Sequence, residues 1–138
     1  MNKVITIDGP SASGKGTLAI LLAKILNWKI LDSGALYRAF AYFSISENDQ
    51  GLIEKNLRKI SFNIVDNSIQ VLFENEDISR HLRTEKTAIQ ASKISSFIST
   101  REILLPIQRF FSETSNLIAD GRDTVSYTHL TLPTKQAV

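Results

Sequence analysis

An α/β fold with a parallel sheet is predicted from three features of the sequence. Val4-Ile5-Thr6-Ile7 is a β-branched run stopped by Asp8-Gly9-Pro10, and an apolar helical pattern follows it. The same rhythm then repeats, with a short strand at Trp28–Leu31 closed by Asp32-Ser33-Gly34 and a second helix after it. In the middle, two alternating runs flank a turn cluster, which adds a hairpin to the parallel core.

Each element has its own justification. The first strand is short and β-branched, as a strand buried on both faces should be. From Lys15 or Thr17 to Leu26, apolar residues at Leu18, Leu21, Leu22, Ile25 and Leu26 give one broad apolar face at helical spacing. Asn27 ends that helix, and the next runs from about Ala35 to Phe43. Leu52, Ile53 and Leu57 mark a helix within Asp49–Lys59. Phe62–Val65 and Ile69–Phe73 alternate around Asp66-Asn67-Ser68, a hairpin signal. Ser79–Arg83 reads as a polar connection with no catalytic role for His81. Thr84–Ile94 and Ser99–Phe111 read as helices, with Phe110 and Phe111 in the core. Leu117-Ile118-Ala119 is a short strand ending in Asp120-Gly121-Arg122-Asp123.

Composition narrows the function classes. With 138 residues, 43% of them hydrophobic, the chain can bury a core and is no disordered tail. The absence of cysteine excludes a disulfide scaffold and thiolate metal sites. A net charge of +2, from 16 basic and 14 acidic residues, gives little support to a nucleic-acid partner. No apolar run is long enough to span a membrane, so a cytoplasmic protein is expected.

The strongest chemical signal is Gly9-Pro10-Ser11-Ala12-Ser13-Gly14-Lys15-Gly16-Thr17. It fits G-x-x-x-x-G-K between a strand and a helix, the context this phosphate loop needs. Glycines let backbone N–H groups turn inward around an anion, and the following helix N-terminus favours negative charge. Lys15 then reaches the β- and γ-phosphates of a nucleoside triphosphate. Gly16 stands where the strict motif has Ser or Thr, so the hydroxyl is displaced by one to Thr17.

Three segments in order, Ile5–Ser11, Leu31–Arg38 (L-D-S-G-A-L-Y-R) and Ile118–Asp123 (I-A-D-G-R-D), closely resemble bacterial-type cytidylate kinases, a branch of the nucleoside monophosphate kinases. Glu76–Ser79, Leu82–Thr84 and Ala91-Ser92 fit as well, so the resemblance runs from residue 3 to about 123. It implies a P-loop NTP hydrolase-type parallel sheet with helices on both faces, here incomplete, and a nucleoside-monophosphate-binding insertion containing the hairpin. The implied division is core at 1–45, insertion at 46–95 and core again at 96–124.

The implied reaction is Mg²⁺-dependent transfer of the ATP γ-phosphoryl group to CMP or dCMP, by a monomer without nucleic-acid or membrane partners. Lys15, Arg38 and Arg122 would be the catalytic cations. Residues 9–17 would hold the ATP phosphates, and Ser33, Arg38, Ser92, Arg101, Arg122 and Asp123 would bind CMP. Asp120 would hold Mg²⁺ through water, with Thr17 as a second candidate. Nucleotide binding without transfer, and another P-loop small-molecule kinase, are the alternative readings.

Family members continue with more strands, a lid and a closing helix. Here Val125–Thr134 reads V-S-Y-T-H-L-T-L-P-T, which resembles the in-frame translation of a transposon-end sequencing adaptor. Residues 125–138 are therefore expected to be a foreign tail. The expectation that follows is a truncated, unstable chain with at most trace activity, in which Val4–Ile7 forms an open apolar edge.

Overall fold

The computed structural model describes residues 2–9 and 14–121, and the backbone of 130–133. The elements in order are β1 (Val4–Asp8), α1 (Lys15–Leu26), β2 (Lys29–Asp32), α2 (Ser33–Ser46), α3 (Gln50–Leu57), β3 (Ile60–Val65), β4 (Ser68–Phe73), β5 (Glu76–Asp77), α4 (Ser79–Leu82), α5 (Glu85–Ser95), α6 (Ile98–Thr114), β6 (Leu117–Asp120) and β7 (Leu130–Pro133).

The core sheet is parallel, in the order β2-β6-β1-β7. Its register aligns Ile7 and Asp32 with Asp120, so the strands deliver their acidic ends to one side. Strand β6 is buried along its whole length, as a short apolar strand between two neighbours should be. Ile7, Leu31, Leu36, Leu57, Leu104, Ile107 and Ile118 are the large side chains sealed in the core.

Two expectations are corrected here. The edge of Val4–Ile7 is not open: β7 pairs with it in parallel, Ile5 opposite Leu130 and Ile7 opposite Leu132. A β-branched run takes a parallel partner because its ladder groups are otherwise unsatisfied. The second correction concerns α1. Its buried residues are Ala19, Ile20 and Ala23, whereas Leu21 and Ile25 are 51% and 68% exposed. The alanines let the helix lie close to β1, β2 and β6; Leu18 and Leu22 pack against the core as expected, and Leu21, Ile25 and Leu26 face outward.

The second sheet is antiparallel, in the order β3-β4-β5. Asp66 and Asn67 both have positive φ (50° and 61°) between the paired Val65 and Ser68, which is the geometry of a two-residue hairpin turn. Glu74 and Asn75 repeat it (50° and 69°) and lead into β5, which the sequence pattern did not announce. Ser79–Leu82, expected as a connection, forms a short helix, with Leu82 buried.

Candidate functional site

The phosphate loop begins where β1 ends. Pro10, Ser11, Ala12 and Ser13 lie outside the described residues. Gly9 and Gly14 frame them with φ of 152° and 85°, values that suit glycine. Gly14 is also the N-cap of α1, which has no side-chain cap and no acid in its first turn. Among the described residues no side chain caps that first turn, an arrangement that suits an anion. Gly16 and Thr17 occupy that first turn, Thr17 exposed.

Lys15 reaches across to β6, where its Nζ donates to Asp120 Oδ1 at 2.7 Å. The carboxylate is nearly sealed, and the ammonium is partly open to solvent. Burial pushes the Asp120 carboxyl above its ordinary pKa. The hydrogen bond and charge of Lys15 oppose that shift, and the Asp32 carboxylate across the ladder adds to it. Lys15 therefore neutralises a buried acid and can be drawn away by a stronger anion.

Asp32 accepts from the Ala35 N–H at 3.1 Å and so caps α2. Ser33 follows, buried, and its hydroxyl donates to the Asp120 carbonyl at 2.9 Å. Its one proton is committed there, so toward a ligand Ser33 offers lone pairs only. Gly121 sits against it: a Cβ at Gly121 would lie 1.6 Å from Ser33 Oγ.

One open cleft of about 610 Å³ brings Ser33, Arg38, Ser92 and Arg101 together. They come from the start of α2, its second turn, α5 and the first turn of α6. Arg38 also lines a small cavity beside Asp32 and Arg83, at the boundary with the antiparallel sheet. Gly34, Tyr37, Ala88, Ala91 and Ser95 complete the cleft and were not singled out from sequence. A signal existed for all but Ala88: Gly34 lies inside the Leu31–Arg38 segment and Ala91 in Ala91-Ser92. Tyr37 lies inside the Leu31–Arg38 segment too, and Ser95 is three residues after Ser92, hence on the same helix face. Ser95 currently donates to the Ser92 carbonyl at 3.0 Å.

Arg122, Asp123 and most of the 125–138 tail lie outside the described residues. Among the described residues, no group of three His, Cys, Asp or Glu side chains could hold a metal alone. A cation such as Mg²⁺ needs only one or two carboxylates when phosphate oxygens and water supply the rest. The hard oxygens of Asp120 and Thr17 fit that demand. No described helix is long and apolar enough to cross a membrane.

A family model described as cytidylate kinase matches residues 5–132, past the Asp123 at which the sequence motifs end. The cytidylate kinase of Aeromonas salmonicida (strain A449) is 45% identical over 130 residues, spanning 89% of this chain and 56% of that protein. That of Shewanella loihica is 41% identical over 139 residues, spanning 96% and 60%. That of Pseudomonas putida (strain W619) is 47% identical over 129 residues, spanning 87% and 56%. The chain thus spans less than two thirds of the length of these curated relatives.

Proposed function

The chain belongs to the cytidylate kinase family, and we propose on that footing that the whole protein transfers the γ-phosphoryl group of ATP to CMP or dCMP. The observation that carries this reading is the single cleft lined by Ser33, Arg38, Ser92 and Arg101. Lys15 and Asp120 stand beside it, joined through the Ser33–Asp120 hydrogen bond.

In the proposed mechanism the transferring group passes through a loose transition state, with charge spread over its outer oxygens. Catalysis is then positioning and electrostatics. Incoming ATP phosphates take Lys15 from Asp120 and occupy the N-terminus of α1. Arg38 grips the CMP phosphate through its planar fork and offsets the repulsion between two anions. Ser92 and Arg101 hold the cytosine, with Asp123; Arg122 is the second arginine on the phosphates. Mg²⁺, held by water from Asp120 and by Thr17, would neutralise charge on the ATP phosphates.

The test is calorimetric titration of the chain with CMP, dCMP, UMP and AMP, alongside a coupled ADP-release assay. CMP and dCMP binding is expected to exceed AMP binding, and Arg38→Met is expected to weaken CMP about tenfold or more. Equal binding of AMP would defeat the substrate assignment. A second reading is nucleotide binding without transfer by this chain. It predicts CMP binding with no ADP release.

A further inference from the structure

A second cavity, of about 400 Å³, lies at the opposite end of the strands from the phosphate loop. Lys29 and Leu117, which begin β2 and β6, are part of its wall, whereas Asp32 and Asp120 end those strands at the site. Its other walls are β3, with Phe62 and Asn63, and the last turns of α6, with Phe110 and Phe111. It therefore bridges the antiparallel sheet and the parallel core at the β2 edge, the edge farthest from β7.

The chemistry of the lining is one-sided. Lys29 and Arg58 are its two cations, and no carboxylate lines it. Among the described residues the ion pairs are Lys15–Asp120 and Lys59–Glu74, so neither Lys29 nor Arg58 is in one; Arg58 Nη1 donates to the Glu54 carbonyl at 3.4 Å. Arg58 lies over the Phe110 ring at 6.0 Å. Phe111 meets Phe110 and Phe62 edge to face, at 5.7 and 6.2 Å between ring centres. A flat ring can stack on such a surface while a guanidinium and an ammonium hold its charge. The volume falls within the range of small-molecule sites.

We propose that this cavity binds a small aromatic anion, one or two rings carrying a single carboxylate or phosphate, at a place separate from the nucleotide cleft. Phe62, Phe110 and Phe111 take the ring, and Arg58 and Lys29 take the charge. Helix α6 lines both cavities, with Arg101 near one end and Phe110 near the other.

The probe is 1-naphthoate, titrated into the isotopically labelled 138-residue chain with amide shifts followed by NMR. Neutral 1-naphthamide is the control. Saturable shifts are expected at Asn63 and Phe111 and not at Ser92 or Ser95, and saturating CMP should not displace the naphthoate. Naphthoate should bind about tenfold more tightly than naphthamide, and Arg58→Gln should remove about that factor. Arg58→Lys should restore part of it, and Lys29→Gln reads the same loss should the Arg58 variant fail to fold. Equal affinity for naphthamide, displacement by CMP, or no saturable shift at Asn63 and Phe111 up to about 5 mM would overturn the proposal.

Discussion

At Gly121 the backbone turns with φ 141° directly after the buried Asp120, and the Gly121 N–H bonds to the Ile7 carbonyl at 3.2 Å. The φ value and the contact with Ser33 both exclude a side chain. Gly121→Ala is expected to cost about 2–4 kcal/mol, read as a fall in the urea midpoint. Ser33→Ala in the same chain should recover only part of it, because Ser33 Cβ would still lie 2.7 Å from the new methyl. Asp77 carries a pH prediction. Hydrogen bonds from the Ser79 hydroxyl and N–H and from Gln70, with the charge of Arg83, hold its carboxyl below the ordinary 3.8. A lowered folded-state pKa stabilises above the ordinary value and is lost as pH falls through the folded value. The stability gap between the chain and Asp77→Asn should be constant near neutral pH and should close below about pH 4. Urea titrations of both at several pH values check this.

Among the elements, α5 supplies Ala88, Ala91, Ser92 and Ser95 to the cleft. Its start is fixed by Thr84, whose hydroxyl oxygen accepts from the Thr87 N–H at 3.2 Å. Thr84→Ala should cost about 1 kcal/mol and should weaken CMP binding through displacement of Ser92, which calorimetry would register. Much of this scale was legible in the sequence. The strand–loop–helix unit was readable because Gly9-Pro10 punctuates it, and the first hairpin because Asp66-Asn67 tolerates positive φ. The second hairpin was hidden because Glu74 is an unusual residue for such a turn. The α1 face was read correctly at Leu18 and Leu22 and misread at Leu21, Ile25 and Leu26, because large apolar residues outweigh alanines in any hydropathy pattern, although close approach to a sheet selects the small residues. Ser33, Arg38, Ser92 and Arg101 were named from the family resemblance, Arg101 outside any quoted motif, but their meeting in one cleft is tertiary. The engagement of Ser33 with a backbone carbonyl leaves no trace in sequence.

At the scale of the whole molecule, exposed apolar residues lie on α1 and, elsewhere, at Ile89, Phe97 and Ile98 among others. Leu21, Ile25 and Leu26 form an exposed apolar stripe beside the partly covered Leu18 and Leu22. Patches of this kind promote association. Ile25→Lys is expected to raise the concentration at which light scattering begins, with the thermal midpoint moved by under about 0.5 kcal/mol equivalent. Unchanged scattering would locate the association elsewhere.

The inner side of the same helix has a different consequence. Ala19 and Ala23 act as a spacer of fixed thickness between helix and sheet. Because Gly14 and Lys15 ride on the first turn, that thickness sets the elevation of the phosphate loop above the strand ends. Under the proposed function, nucleotide affinity would in this sense be gauged by two methyl groups buried against the sheet.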